Sequence, residues 1–377
     1  MILPDMLFNG TSLADNDSEK KRILVAVLNW GLGHATRTIP IIRELSRNHS
    51  VLIASTGRSL ALLRQEFPSC ETLDFPDYSV RYSRNGKCLI IYLLIQLPKI
   101  LVLLFLEHLR TLKIVKKHSV EIIFSDNRYG VYSKRIPCFF MTHQLRFRLP
   151  ESLRKFEIIS VWFNQLMLRN FKTVFVPDFP GDKNLSGQLG HPEVFAKSEK
   201  IRYIGPLSSL VPKKVRQTID ALILISGPEP QRSSLEKLIL KQIEDIPGHC
   251  VVVLGKPEMK QTVTSLRGHE IISHLDRNTL SKYMSRADVI ISRAGYSTIM
   301  EMISFKKPAL FIPTPGQTEQ EYLAGRLNGS GLFYCVTQDK IDLVHDIKKA
   351  KEVSFKEVFT GQINDVAQIL SMMGLVV

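Results

Sequence analysis

Short apolar runs alternate along this chain with longer stretches in which hydrophobic positions recur at helical spacing. Ile23–Leu28, Val51–Ser55, Val120–Ser125, Cys138–Thr142 and Thr173–Val176 are apolar at nearly every position, as expected of strands buried on both faces. Helical patterns follow the first two, at Ala35–Leu45 and Ser59–Phe67. A second series runs through strands Ala221–Ile225, Cys250–Leu254, Glu270–Ser273, Asp288–Ile291 and Pro308–Ile312. Its helices fall at Gln231–Ile243, Asn278–Arg286, Tyr296–Phe305 and Glu319–Leu327. Alternation of this kind predicts an α/β protein with parallel sheets covered by helices. The series restarts after Ile204-Gly-Pro-Leu207 and the polar stretch Ser208–Gln217. The expected organisation is a loose tail over 1–20 and two Rossmann-like domains, 21–205 and 206–377, facing each other across a cleft. Open sheets of this type bind ligands at the carboxyl ends of their strands.

The segment 81–118 departs from the pattern. Between Cys88 and Leu106 only Gln96 and Lys99 are strongly polar. Pro98-Lys99 sits mid-run, and a central Lys costs about 2.5–3.5 kcal/mol in a membrane span. Arg81, Arg84, Lys87, Arg110, Lys113, Lys116 and Lys117 flank it. A helix buried in the first domain fits this pattern. A helical hairpin lying in the interface of an anionic membrane fits it better, because the flanking cations then meet headgroups.

Charge sharpens that reading. The 377 residues carry 50 basic and 36 acidic side chains, and residues 1–205 hold 29 of the basic against 18 of the acidic. The N-terminal half therefore carries most of the positive field, as expected if it faces anionic lipid or phosphate. Nucleic acid would suit the charge, but the interleaved aromatics of a binding module are missing. Five scattered cysteines without a C-x-x-C pair argue against a disulfide framework and a structural zinc site, and fit a reducing cytoplasm. Met1–Phe8 lacks a secretory pattern. Asp15-Asn-Asp17 matches an Asp-x-Asp metal motif but lies in the polar tail, so no metal or cofactor is expected.

Four strand-to-helix turns offer chemistry. Asn29-Trp-Gly-Leu-Gly-His-Ala-Thr-Arg37 follows the first strand. Gly31 and Gly33 permit a tight turn and a close approach. His34 behind them is a candidate general base. The turn has neither the third glycine of a dinucleotide fingerprint nor the Gly-Lys-Ser/Thr of a phosphate loop. Ser292-Arg-Ala-Gly-Tyr-Ser-Thr-Ile-Met-Glu301 presents Arg293, Gly295, Tyr296, Ser297 and Thr298 at a helix start suited to a diphosphate. Glu301, one turn further in, is placed to accept from a ribose diol. Pro313-Thr-Pro-Gly-Gln-Thr-Glu-Gln-Glu-Tyr322 crowds Gln317, Glu319, Gln320 and Glu321 at the next helix start, a density of donors and acceptors that suits sugar hydroxyls. Ile225-Ser-Gly-Pro-Glu-Pro-Gln-Arg232 places Ser226, Gly227 and Arg232 where they would touch a phosphate.

Taken together, the second and third motifs resemble the C-terminal donor domain of glycosyltransferase family 28. The Gly-x-Gly-His turn resembles the acceptor domain of the same GT-B superfamily. The resemblance implies a GT-B fold and an inverting glycosyltransferase that moves a hexose or N-acetylhexosamine from a nucleotide sugar, UDP first, to a lipid-linked or envelope glycan acceptor. It puts the ribose-binding Glu at Glu301 and the general-base His at His34. The sugar-reading pair falls on Gln320 and Glu321, the second departing from the family's glutamine. Leu275 becomes a neighbour of the nucleobase. Asp126, ending a strand near the cleft, would orient His34 as an acid does in related GT-B enzymes, and His143 is a rival base or an acceptor contact. The implied site of action is the cytoplasmic face of the plasma membrane, with the enzyme bound peripherally. A nucleotide-sugar hydrolase or epimerase of the same fold, and a non-catalytic membrane-docked nucleotide-sugar-binding subunit, are the rival readings.

Overall fold

The computed structural model describes residues 20–78, 89–256, 260–328, 330–353 and 362–375. Most of the expected tail and the 81–88 part of the basic-apolar segment, with Arg81, Arg84 and Lys87, lie outside the described residues.

The N-terminal lobe is built on seven strands: β1 (Arg22–Val27), β2 (Ser50–Ser55), β3 (Glu71–Asp74), β4 (Ile122–Asp126), β5 (Cys138–Met141), β6 (Thr173–Val176) and β7 (Ile201–Tyr203). They form one parallel sheet in the order β3-β2-β1-β4-β5-β6-β7. In β1, Ile23, Val25 and Val27 enter the core on one face while Leu24 and Ala26 enter the core on the other. This two-sided burial is why its sequence is continuously apolar. Helices α1 (Gly33–Asn48) and α2 (Gly57–Glu66) belong to the first face, α3 (Leu89–Lys117) and α4 (Glu157–Leu168) to the second.

The C-terminal lobe repeats the design with β8 (Ala221–Leu224), β9 (Cys250–Val253), β10 (Val263–Leu266), β11 (His269–Ile272), β12 (Ile290–Ser292), β13 (Ala309–Phe311) and β14 (Tyr334–Cys335). Their order is β10-β11-β9-β8-β12-β13-β14, parallel except for the edge strand β10. Around them lie α5 (Gln231–Gln242), α6 (Arg277–Arg286), α7 (Tyr296–Phe305), α8 (Thr318–Asn328) and α9 (Leu343–Glu352). The expected class, α/β with two Rossmann-like lobes, is the observed one.

Two elements depart from expectation. Residues 89–117 form one continuous helix rather than a hairpin, with Pro98 inside it. The final helix α10 (Val366–Met372) leaves the C-terminal lobe: Val366, Ile369, Leu370 and Met373 pack into the N-terminal core with Ile39 and Ile42 of α1. Before reaching it the chain crosses the inter-lobe connection, where Asn364 Oδ1 accepts from Ser208 N at 2.6 Å and Asn364 N donates to Pro206 O at 3.0 Å. Gly205, at φ +70°, lets that crossing pass, since a Cβ there would lie 2.0 Å from Gln362 O.

Candidate active site between the lobes

Three neighbouring strand ends of the N-terminal sheet supply one half of the site. Val27 at the end of β1 stands in register with Asp126 at the end of β4, which faces Met141 of β5. The turn after β1 delivers His34 and Arg37 on the first turn of α1, and the residues after β5 deliver His143. Asp126 is fully buried and receives the convergence. His34 Nδ1 lies 3.0 Å from its Oδ1. Arg37 donates to both carboxylate oxygens, through Nε to Oδ2 at 2.8 Å and through Nη2 to Oδ1. Thr38 Oγ1 adds a bond to Oδ2 at 2.8 Å. A buried carboxylate needs such compensation to stay ionised. Burial pushes the Asp126 carboxyl up, but Arg37 and then His34 overcome this and hold it well below the usual carboxylate range. Burial lowers His34, Arg37 lowers it further and Asp126 opposes both. The net shift is downward, so the imidazole is neutral at neutral pH, as a general base must be.

The C-terminal lobe meets this cluster directly. Glu319, in the first turn of α8, accepts from His143 Nε2 at 2.8 Å. The His143 ring stacks on Tyr296 with centroids 4.4 Å apart and planes 9° from parallel. Tyr296 also donates its hydroxyl to Pro177 O at 2.8 Å. Ser297 Oγ donates to Gly33 O at 3.1 Å. Gly33 leaves room for this contact, because a Cβ would sit 2.5 Å from Ser297 Oγ and the serine would have to shift. On the far side Arg277 of α6 pairs with Glu66 of α2 at 3.0 Å. Behind it burial raises the Glu301 carboxyl to about 7, with Arg277 pulling the other way.

Similarity to known proteins accords with this geometry. Residues 231–357 match the glycosyltransferase family 28 C-terminal domain. The chain is a glycosyltransferase of GT-B architecture. An uncharacterized glycosyltransferase of Methanosarcina acetivorans is 24% identical over 331 residues, covering 82% of each chain. The UDP-N-acetylglucosamine--N-acetylmuramyl-(pentapeptide) pyrophosphoryl-undecaprenol N-acetylglucosamine transferase of Natranaerobius thermophilus is 22% identical over 347 residues, 85% of this chain and 88% of that one. Among solved structures, Acinetobacter baumannii MurG superposes with a TM-score of 0.56 at 15% identity, over 94% of this chain and 99% of its own. The glycosyltransferase SsfS6 of Streptomyces sp. SF2575, complexed with thymidine diphosphate, gives 0.57 at 14% identity, over 93% and 99%. At these identities the superpositions speak to fold.

Within this glycosyltransferase the sequence-derived site residues fall into groups. His34 and Asp126 are in contact, and Gly31, at φ +74°, shapes the turn before them. Gly295 is the N-cap of α7, whose first turn has no side-chain cap, and Thr298 in that turn is half-buried. Ser226 and Gly227 are exposed at the end of β8, and Leu275 is half-buried against the core after β11. Other candidates are committed within the protein. Arg293 donates to the carbonyls of Ile312, Pro313 and Gln231 and to Gln338, and burial lowers it to about 10. Arg232 pairs with Glu229 and Glu236. Gln320 Oε1 accepts from Thr314 N and Glu321 Oε1 from Gly316 N, so both brace the turn before α8. Gln317 lies in that turn, half-buried. Tyr296 and Ser297 bind the opposite lobe. Among the described residues no group of three His, Cys, Asp or Glu side chains is placed to hold a metal ion.

Arg37, Thr38, Glu66 and Arg277 received no role from the sequence. Spacing held a signal for two of them: positions i+3 and i+4 from His34 share its helix face. Nothing local marks Glu66 and Arg277, which meet only because the lobes do.

Proposed function

We propose that this protein is an inverting glycosyltransferase that moves a hexose or N-acetylhexosamine from a nucleotide sugar, with UDP the first candidate, to a lipid-linked or envelope glycan acceptor. The observation that carries the reading is the cross-lobe constellation, in which the buried His34–Asp126 pair and Glu319 converge at one boundary. The donor lies over the C-terminal lobe, with ribose on Glu301, diphosphate on the amides that open α7 and on the Ser226–Gly227 turn, and sugar hydroxyls near Glu319 and Gln320. The acceptor hydroxyl approaches from the His34 side. His34 Nε2 takes its proton as the acceptor oxygen bonds to C1. The C1–phosphate bond breaks and its electron pair leaves with the diphosphate. Attack opposite the leaving group inverts the anomeric centre. Base catalysis of this kind supplies 10²–10⁴-fold, roughly 3–5 kcal/mol. Preorganised amides on the departing diphosphate supply a comparable share with no metal required. The Natranaerobius relative, named for a UDP sugar and an undecaprenol-linked acceptor, supports both donor and acceptor class.

Two exposed apolar faces support docking on anionic lipid at the cytoplasmic side. On α3, Leu101, Val102, Phe105, Leu106, Leu109 and Leu112 are exposed, while Glu107, Thr111 and Ile114 on the opposite side are buried. On α4, Ile158, Ile159, Trp162 and Leu166 are exposed, Trp162 at 73%. Both helices cover the same face of the N-terminal sheet. Arg110, Lys113, Lys116 and Lys117 are exposed beside the α3 face. Among the described residues no helix is long and apolar enough to cross a membrane.

The experiment is turnover of a UDP-sugar panel with a short-chain polyprenyl-phosphate acceptor, followed by NMR of the product's anomeric proton. A glycolipid of inverted configuration is expected. Retained configuration, or free sugar released at the same rate with and without acceptor, contradicts the proposal.

A further inference from the structure

The guanidinium of Arg37 is fully buried and lies at the centre of the site, yet it stands apart from the acid–base pair just described. Its nitrogens reach three side chains. Nε and Nη2 donate to Asp126, Nη2 also lies 2.9 Å from His34 Nδ1, and Nη1 lies 2.8 Å from His143 Nδ1. A guanidinium has N–H donors and no acceptor. His143 Nδ1 must therefore present its lone pair to Arg37, which leaves the ring proton on Nε2. That proton is donated to Glu319 Oε1 at 2.8 Å. Both nitrogens of His143 are spent, so it is a neutral link and not a rival base.

His34 Nδ1 faces a choice. As an N–H it donates to Asp126 and leaves Nε2 bare to accept the acceptor's proton. Without a proton it accepts from Arg37, and Nε2 then carries hydrogen and has no basic lone pair. Asp126, charged and acceptor-only, favours the first state. The donor-only cation favours the second and opposes a full positive charge on the ring.

We propose that Arg37 is a positioning residue for the transfer, holding the Asp126 carboxylate ionised against His34 and joining that pair through His143 to Glu319 of the donor lobe. The assignment rests on the reading of His34 as general base. The charged and titratable groups that act on His34 are Arg37 from α1, Asp126 from β4, His143 from the turn after β5 and Glu319 from α8. Of these, Arg37 is the one permanent cation, and it is second only to burial in lowering the His34 pKa. Replacing it by a neutral side chain raises that pKa, and the acid limb of kcat/KM moves to higher pH. A Lys there keeps the charge but lacks a fork able to reach Asp126 and His143 together. It therefore holds the limb near its original pH while kcat falls.

The test compares pH profiles of kcat/KM for the parent enzyme, Arg37→Gln and Arg37→Lys. An upward displacement of the acid limb in Arg37→Gln, restored by Arg37→Lys, is expected. A uniform loss of rate with the limb unmoved in both variants overturns the proposal. Because Arg37→Gln leaves Asp126 buried with fewer partners, its folding is not assured. A second measurement therefore uses the parent protein, with ¹⁵N-histidine labelling and Nδ1/Nε2 shifts followed with pH, His143→Gln providing the assignment. His143 is expected as the Nε2–H tautomer. An Nδ1–H tautomer overturns it. If His34→Ala itself retains turnover, the base assignment falls; if His34→Ala is inactive and the limb stays put, only the role of Arg37 falls.

Discussion

At the scale of single residues the site shows opposed electrostatic settings. Asp126 is held ionised in a buried position by a permanent cation, whereas desolvation raises the half-buried Glu301 to about 7, against the pull of Arg277. The Glu301 shift has a sign consequence. Its folded pKa lies above the unfolded value of about 4.3, so its contribution to folding is favourable below that value and is lost as pH rises from about 4 through 7. Glu301→Gln is expected to melt at a higher temperature than the parent above pH 7, by on the order of 1–3 kcal/mol of stability, while binding the nucleotide sugar more weakly. Thermal melts at pH 5 and 8, read beside calorimetric donor affinity, check this. Equal melting at both pH values, with affinity unchanged, contradicts the place given to Glu301. The His34 turn was legible in sequence because its two glycines and histidine form a local pattern. The reason for Gly33 was not: the close approach it permits is that of Ser297, 264 residues away.

At the scale of elements, the proposed docking surface belongs to α3 and α4 together. The hairpin expected in 81–118 does not form over 89–117, where Pro98 lies within the continuous α3. The apolar run is amphipathic in the fold: residues at 101, 105, 109 and 112 face outward while 107, 111 and 114 face inward. Helix α4 had escaped notice because Glu157–Leu168 is apolar on nearly all sides, with little periodicity to separate a helix from a buried strand. Short edge strands such as β3 and β7 lacked the apolar density that betrayed β1 and β4. Sedimentation with anionic liposomes checks the surface. Replacing Lys113, Lys116 and Lys117 by Glu should abolish binding, since each cation contributes about 1 kcal/mol near a charged surface. Trp162→Ala should weaken it at all salt concentrations, because its contribution is apolar. Unchanged sedimentation of both variants removes α3 and α4 from the docking surface.

At the scale of the whole molecule, the two lobes were legible as two strand–helix series with a break between them. The return of α10 to the N-terminal core was not, because a helix's sequence does not say which of two similar cores it covers. That return makes the lobes a two-crossing assembly, with the linker at 204–208 tied to the strap at 362–364. The cleft contacts His143–Glu319, Ser297–Gly33 and Arg277–Glu66 then set how the two lobes meet. The claim that organises all of this is that His34, oriented by Asp126, removes the acceptor's proton across the lobe boundary. Its most direct test is the His34→Ala enzyme, assayed for single-turnover transfer rate and, separately, for calorimetric affinity toward the nucleotide sugar. The transfer rate should fall 10²–10⁴-fold with donor affinity nearly unchanged; a His34→Ala enzyme that transfers at close to the parent rate would contradict the account.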